Sequence, residues 1–410
     1  MNVSEAMLDQ VPPHVSGDRV VAFDMYAPPG GDADAYVPWL ELRRSTSSNV
    51  VWSNRNGGHW IVLKGSYIHE LVADVDRLSS RLLPGSRELG EATQLIPLQT
   101  DPPEHTLYRS NVSKEMGPDY LTALKDPIRE ITKTLIAGFR DRGHCDFIAE
   151  FAEILPVHVF LIMVGLPRED AAMLRKLALQ LVRPDGTMTP EEFMGALDAY
   201  LNPYVEARLK NPGSDMLSRV LARPVGDRPW TLDEAKRFCR NILLAGLDTV
   251  VALLGYVAQF LAQNPEYQAQ LRGKRELIVK SIPELTRRFP VVVLGREARQ
   301  DFEIDGVLIK KNDIVILPTM LHNLDPEVFE DPLEVRLDRP SKPHTTFGKG
   351  IHFCVGAGLA RVELITFLEL WLEMVPEFRI DPDVEVKHHP GTIITLTNLP
   401  LVWDPAALPA

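Results

Sequence analysis

Apolar and polar positions alternate in three regimes along this 410-residue chain. In the first hundred residues, short β-like runs at Val50–Trp52 and His59–Leu63 flank turn residues at Asn56-Gly57-Gly58. From about Asp119 to Phe289, apolar side chains recur at three- and four-residue intervals, the period of a helix with one buried face. Breaks fall at Gly165-Leu166-Pro167, Arg183-Pro184-Asp185-Gly186, Asn211-Pro212-Gly213 and Asn264-Pro265. Short strands return between Val291 and Pro318, as in Phe302–Ile309 and Ile314–Leu317. A long helix follows Cys354, and a last strand pair is expected over roughly Gly391 to Trp403. The 33 prolines punctuate the chain without a low-complexity linker, and no internal repeat is visible. The pattern predicts a mainly α protein with small β-sheets, folded as one domain over residues 1–410.

Composition narrows the class. A chain this long, 45% hydrophobic, can bury a large core and enclose a cofactor. Its net charge of −12 argues against a nucleic-acid partner, which favours a basic footprint, and otherwise speaks for solubility. No uninterrupted run of about 18 apolar residues occurs. Met1 to Asp18 lack the basic, apolar and small-residue order of a signal peptide. A cytoplasmic protein with no membrane span is therefore expected. Cys145, Cys239 and Cys354 form no CxxC pair, so neither a disulfide framework nor a zinc site is indicated.

The strongest chemical feature is the string Phe347-Gly348-Lys349-Gly350-Ile351-His352-Phe353-Cys354-Val355-Gly356-Ala357-Gly358. Its four glycines permit positive φ and close backbone approach. The string then runs into a helix at Leu359-Ala360-Arg361-Val362-Glu363-Leu364. Cys354 thus precedes a helix N-terminus, where free N–H groups and the helix dipole favour a thiolate. The plain alternative is a structural cysteine in a Gly-rich turn. Upstream, Phe238 to Phe260 reads as a long buried helix carrying Ala245-Gly246-Leu247-Asp248-Thr249. Glycine in mid-helix costs about 1 kcal/mol relative to alanine. An acid and a hydroxyl in an apolar helix also need partners. The segment reads either as a local opening of the helix or as a kink with a back-bonded threonine. Glu284-Leu285-Thr286-Arg287 sets an acid and an arginine at i and i+3 on one helical face, and His105 and Arg109 follow the helix start Asp101-Pro102-Pro103-Glu104 at i and i+4.

Taken together, these strings resemble the cytochrome P-450 family. Phe-Gly-x-Gly-x-His-x-Cys-x-Gly at Phe347 to Gly356 matches its haem-binding signature, Ala245 to Thr249 its oxygen-activation motif, and Glu284-x-x-Arg287 its fold-bracing pair. The likeness runs from about residue 20 to the end. Arg183-Pro184-Asp185-Gly186, His344-Thr345-Thr346-Phe347 and Leu399 to Pro405 are similar to the camphor-hydroxylating bacterial subfamily. The resemblance implies haem b buried between the oxygen-binding helix and the helix after the cysteine loop, with Cys354 as thiolate ligand to iron. Phe347, Gly348 and Gly356 would shape the ligand loop, and His105, Arg109, Arg296 and His352 would bind the haem carboxylates. Asp248 would relay protons and Thr249 would hydrogen-bond oxygen at the iron. Family members often add a third basic partner; the matching place here is Glu334, with Arg336 and Arg339 nearby, and the partner is open.

The resemblance also implies a monooxygenase that uses O2 and receives electrons from NADH through a flavin reductase and an iron–sulfur ferredoxin. The ferredoxin would dock on the thiolate-side surface above Arg109, and the enzyme is expected to be a monomer. A haem-thiolate peroxygenase or isomerase, or a non-catalytic haem sensor or carrier, are the alternatives. By position, Thr93, Leu95, Leu98, Asn241, Leu244, Ala245, Val292 and Ile393 would line an apolar substrate pocket. Two departures stand out: Thr93 takes the place of a tyrosine that holds the camphor ketone, and Leu294 that of an acid near a haem carboxylate. The first argues against camphor and for another terpenoid or norisoprenoid ketone, with Asn241 as a replacement anchor.

Overall fold

A computed structural model describes residues 11–82, 93–182 and 187–408. Arg183-Pro184-Asp185-Gly186 and the first ten residues lie outside the described residues. In chain order the strands are β1 (Val20–Val21), β2 (Val50–Ser53), β3 (His59–Val62), β4 (Leu78–Ser79), β5 (His144–Asp146), β6 (Val293–Ala298), β7 (Phe302–Ile304), β8 (Val307–Ile309), β9 (Ile314–Pro318), β10 (Phe378–Ile380), β11 (His388–His389), β12 (Thr395–Leu396) and β13 (Pro400–Trp403). The helices are α1 (Val37–Ser45), α2 (Gly65–Leu71), α3 (Glu104–Glu115), α4 (Pro118–Phe139), α5 (Leu155–Val164), α6 (Ala171–Val182), α7 (Pro190–Lys210), α8 (Met216–Leu221), α9 (Leu232–Gln263), α10 (Pro265–Leu271), α11 (Arg275–Arg288), α12 (Thr319–Asn323) and α13 (Ala357–Met374).

The helical breaks fall where the residue chemistry placed them. Gly165 closes α5 in the left-handed conformation, and Asn211 and Asn264 end α7 and α9. Thr231 and Glu234 form a reciprocal capping box at the start of α9, satisfying two backbone donors that a helix end otherwise leaves bare. The largest sheet has the order β1-β2-β3-β9-β6-β4, and a three-stranded sheet runs β10-β13-β5. The expected final strand pair is corrected here. β12 pairs with β11, whereas β13 pairs with β10 and β5. The apolar run over this region resembled one hairpin, but its two halves satisfy their backbone groups in different sheets.

The core is one continuous cluster of buried side chains from Val15 to Trp403. At its centre α9 packs on α7, α5, β10 and β12, while α13 packs on α4 and α11. Trp371 of α13 meets Phe139, Phe147, Phe151, Phe378 and Trp403, with ring centroids 5.0 to 6.2 Å away. By length and composition α9 is apolar enough to cross a membrane, although no unbroken apolar run announced it. Most of that stretch is buried in the fold, which makes it a core helix.

The acid–arginine pair braces the far end of α11. Arg287 is 2% exposed, and its Nε and Nη2 donate to the two Glu284 carboxylate oxygens at 2.8 and 2.9 Å. Its remaining donors reach the carbonyls of Asn323, Pro332 and Glu334. The third partner is Arg339, whose Nε donates to Glu284 Oε1 at 2.9 Å. Arg336 contributes only its backbone N–H, at 2.9 Å, while its side chain turns outward to Glu330 and Asp338. Burial pushes the Glu284 carboxyl up, but these donors outweigh it and hold it below the ordinary range. Removing one partner of such a buried network strands the others. Glu284→Ala is expected to destabilise the protein by about 3–5 kcal/mol. Arg336→Ala keeps the backbone donor and should stay within about 0.5 kcal/mol of wild type in urea unfolding.

Candidate active site

The cysteine loop is built by backbone hydrogen bonds around two left-handed glycines. Gly348 and Gly350 both have φ of 70°, which a side chain resists. The Gly348 N–H donates to Thr345 O at 2.9 Å, and the Cys354 N–H to Phe347 O at 2.8 Å. The ring of Phe347 packs near that of Phe353. At Gly358 a Cβ would lie 2.6 Å from Leu121 Cδ1, so glycine lets α13 approach α4 closely. The loop delivers Cys354 just ahead of α13, where the N–H groups of Gly356 and Ala357 point at its sulfur. The Nη2 of Arg109 donates to Phe353 O at 2.5 Å and fixes the loop from α3.

Cys354 lies deep in the protein, yet part of its surface is open, because it faces an internal cleft instead of packed side chains. Burial raises its thiol, and the two N–H groups and the Arg109 charge oppose this without overcoming it. The expected thiolate-stabilising donors are thus present, but enclosure in a low-dielectric interior outweighs them. Such a sulfur is suited to a cationic metal that supplies the missing countercharge. Cys145 and Cys239 are buried as ordinary packed thiols; burial pushes Cys239 up to about 12 and Cys145 higher still.

A second cluster gathers the expected carboxylate binders. The rings of His105 and His352 lie 4.4 Å apart. Both His105 ring nitrogens and His352 Nε2 are buried with no hydrogen-bond partner among the described residues. Burial, followed by the Arg109 charge, pushes His105 down to about 4, against the pull of Asp101. Burial and the charges of Arg296, His105 and Arg109 push His352 down to about 3. Burial brings even Arg296 down to about 10, with Asp101 as its counterweight and its own Gly295 carbonyl as a partner at 2.8 Å. Leu294 pairs with Leu317 in the sheet and offers no charge there. Two near-neutral imidazoles with orphaned ring nitrogens beside the guanidiniums of Arg109 and Arg296 suit an anionic partner. Unsatisfied buried donors cost about 1–3 kcal/mol each, and a carboxylate would recover that.

One stretch of α9 is uncovered. Ala245 and Gly246 are exposed within an otherwise buried stretch, and a Cβ at Gly246 would meet nothing within 4 Å. Asn241, Leu244, Ala245, Asp248 and Thr249 recur at helical spacing on this face. The expected local opening of the helix backbone is not formed; α9 is unbroken from Leu232 to Gln263. The Thr249 hydroxyl donates to Ala245 O at 3.0 Å instead, because its own helix offers the nearest acceptor. Asp248 is buried beside it at 5% exposure. Val292 and Ile393 meet in an isolated bridge between β6 and the C-terminal segment. Leu95 is buried and Leu98 is 38% exposed. The Thr93 hydroxyl donates to Gln99 Oε1 at 2.8 Å.

An anchored cysteine, an unsatisfied cationic cluster and an open apolar helix face together fit a flat, apolar, dianionic metal cofactor: this is the architecture of a haem-thiolate enzyme. The chain belongs to the cytochrome P450 family, whose model matches residues 191–402. It is 47% identical to the crystal structure of cytochrome P450 CYP101C1, covering 96% of this chain and 100% of that one with a TM-score of 0.91. For CYP101J2 the identity is 38%, the coverage 97% and 100%, and the TM-score 0.90. Among curated relatives, the probable cytochrome P450 127A1 of Sinorhizobium fredii is 29% identical over 96% of this chain and 97% of its own. Cyclomarin C epoxidase CymV of Salinispora arenicola is 32% identical over 74% and 80%. The two CYP101 structures bear out the subfamily resemblance read in the sequence. The protein is a P450 monooxygenase, and its cofactor is haem, iron protoporphyrin IX.

Two residues escaped sequence reading. Asp101 was read as a helix-start residue; its carboxylate accepts from the Ser79 hydroxyl at 2.6 Å and the Ser80 N–H at 3.0 Å, and it faces Arg296. Gln99 sits among apolar neighbours in Leu95 to Thr100, and that isolated polarity was the available signal.

Two measurements follow from the electrostatics. Arg296→Leu removes a charged donor from the cluster and should speed haem loss to an apo-globin acceptor by about tenfold or more. Glu363, nine residues after Cys354 on α13, is fully buried, and burial alone pushes its carboxyl up to about 8. A folded pKa above the unfolded value carries stability below pH 4.5 that is lost as pH rises toward 8. Glu363→Gln lacks this loss, so urea unfolding should show the variant gaining on wild type between pH 5 and 8.

Proposed function

We propose that this chain, acting as one domain over residues 1–410, hydroxylates a small terpenoid or norisoprenoid ketone, with electrons from a reductase and an iron–sulfur ferredoxin. The observation that carries the substrate class is Asn241. It is 7% exposed in an apolar helix, one turn before Ala245, and its Oδ1 is buried without a partner. A buried amide left unspent is costly. A carboxamide can present its N–H2 or its oxygen by turning over, so it can donate to a ketone. Thr93 is less suited to that role, since its one hydroxyl proton already goes to Gln99. Leu95, Leu98, Leu244, Ala245, Val292 and Ile393 would supply the apolar remainder of the wall.

Haem, when bound, would supply the activation of O2 needed for placing one oxygen atom in a C–H bond, the other leaving as water. The chain's own residues supply the rest. Cys354 would hold the iron in a loop stiffened by Phe347, Gly348, Gly356 and Arg109. His105, His352, Arg296 and Arg109 would hold the carboxylates. Asp248 and Thr249 would carry protons to the uncovered face of α9, the Thr249 hydroxyl giving up its bond to Ala245 O and Asp248 resupplying the proton. That acid–alcohol pair favours a monooxygenase over a peroxygenase, an isomerase or a haem sensor, none of which requires it. A ferredoxin would dock on the thiolate side near Arg109, whose guanidinium reaches the carbonyl next to Cys354. A cytoplasmic monomer is the reading kept here; among the described residues the membrane-length helix α9 is mostly buried in the fold.

An optical titration of the ferric protein with terpenoid ketones and their deoxy analogues tests the reading. A ketone should displace water and shift the spin state. Asn241→Leu should weaken ketone binding about tenfold while leaving the deoxy analogue unchanged. Equal binding of ketone and deoxy analogue by the wild-type protein would remove the ketone from the proposal.

A further inference from the structure

The segment from Thr93 to Asp101 crosses the space between α9 and the carboxylate-binding cluster. At one end, Arg237 Nε donates to Gln94 O at 2.7 Å. Arg237 lies one turn before Asn241 on α9, so this bond sets the segment against the helix's substrate-facing side. At the other end, Asp101 is held by Ser79 and Ser80 and faces Arg296. Between these anchors lie Leu95 and Leu98. Almost no regular backbone pairing holds the stretch: it forms no strand, and Gln94 adopts a φ of 42°.

A single side chain organises it. Gln99 is 5% exposed. Its Oε1 accepts the Leu95 N–H at 2.7 Å and the Thr93 hydroxyl at 2.8 Å. Its Nε2 donates to Arg81 O at 2.9 Å. The Leu95 N–H can only donate, so the orientation of the amide is settled: oxygen toward Thr93 and Leu95, nitrogen toward Arg81. It follows that Thr93 is the donor in its bond to Oε1, so its hydroxyl proton is committed to Gln99. One buried carboxamide therefore ties three points of chain, fixes where the Leu95 backbone lies, and decides which face of Thr93 the pocket sees.

We propose that Gln99 is a positioning residue for substrate oxidation, setting the height and orientation of the pocket wall from Thr93 to Leu98 and so which carbon is presented for attack. It acts through Thr93 and Leu95 and need not touch substrate. This rests on the reading of Thr93 to Leu98 as pocket wall. The mechanism is orientational: small shifts in the bound geometry change which C–H bond reacts, often with little change in the fold.

The test uses the haem-loaded enzyme with its reductase and ferredoxin, or a surrogate pair, and a terpenoid ketone that shifts the ferric spin state. Gln99→Met keeps the length and volume of the side chain and removes the hydrogen bonds to Thr93, Leu95 and Arg81. The expected result is a ratio of regioisomeric products changed at least threefold and a lower yield of product per NADH, with the ferrous–carbonyl band of the thiolate complex unmoved. Gln99→Glu retains the acceptor for Thr93 and Leu95 and, when protonated, a donor for Arg81 O. It should restore most of the wild-type ratio. Thr93→Val, which removes one of the three bonds, should shift the ratio in the same direction by less, and it decides the matter if Gln99→Met yields no haem-loaded protein. Loss of thermal stability with an unchanged product ratio would make Gln99 a structural residue only and overturn the proposal. Leu98→Ala separates the two levels. If it moves the ratio and Gln99→Met does not, the pocket reading stands and the role of Gln99 falls. If neither moves it, both fall.

Discussion

An enclosed sulfur that cannot easily stay charged on its own governs this molecule. Burial favours the neutral Cys354 thiol, and the N–H groups of Gly356 and Ala357, with Arg109 behind them, oppose burial without overcoming it. The balance explains why so much of the chain is devoted to holding one loop. Gly348 and Gly350 give the turns that aim the sulfur, Gly358 lets α13 sit close on α4, and Arg109 ties the loop to α3. A free anion at this position would be expensive, whereas an anion paired with iron is not. Haem thus completes the electrostatics of the interior as well as supplying the chemistry.

The same logic applies to the carboxylate cluster. His105 and His352 are forced toward neutrality by burial and by the guanidiniums beside them, and among the described residues three of their ring nitrogens have no partner. Asp101 is the acid that faces Arg296, and it is itself anchored by Ser79 and Ser80. A site short of negative charge in the protein is prepared for negative charge on the cofactor. Leu294, beside Gly295 and Arg296 on β6, adds no charge to offset the deficit.

Around these two demands the fold divides its labour. The Glu284–Arg287–Arg339 network spends its donors on carbonyls of the loop that leads to the cysteine string, bracing that string from behind. The aromatic cluster at Trp371 fixes α13 against the core. The segment from Thr93 to Asp101, proposed above as substrate wall, is held more sparsely, by Arg237, Gln99 and Asp101 acting on a stretch with little regular pairing.

Much was legible in the residues alone. The helix period from Asp119 to Phe289, the Gly–Cys string and the mid-helix Asp248–Thr249 each reflect local chemistry, because turn geometry and periodicity are imposed by neighbours along the chain. What the sequence could not decide were relations between distant segments. It left the third partner of Glu284 open, and packing selected Arg339 over Arg336. It suggested a hairpin where β12 and β13 join different sheets. It allowed α9 to open or to back-bond at Thr249, and the carbonyl of Ala245 took the hydroxyl. It passed over Gln99, since nothing near it in the chain shows that its amide will be buried between Arg81, Thr93 and Leu95. Identity of chemistry is local and can be read from residues, whereas the choice of partner depends on which surfaces are brought together and dried, and that is decided only when the chain is folded.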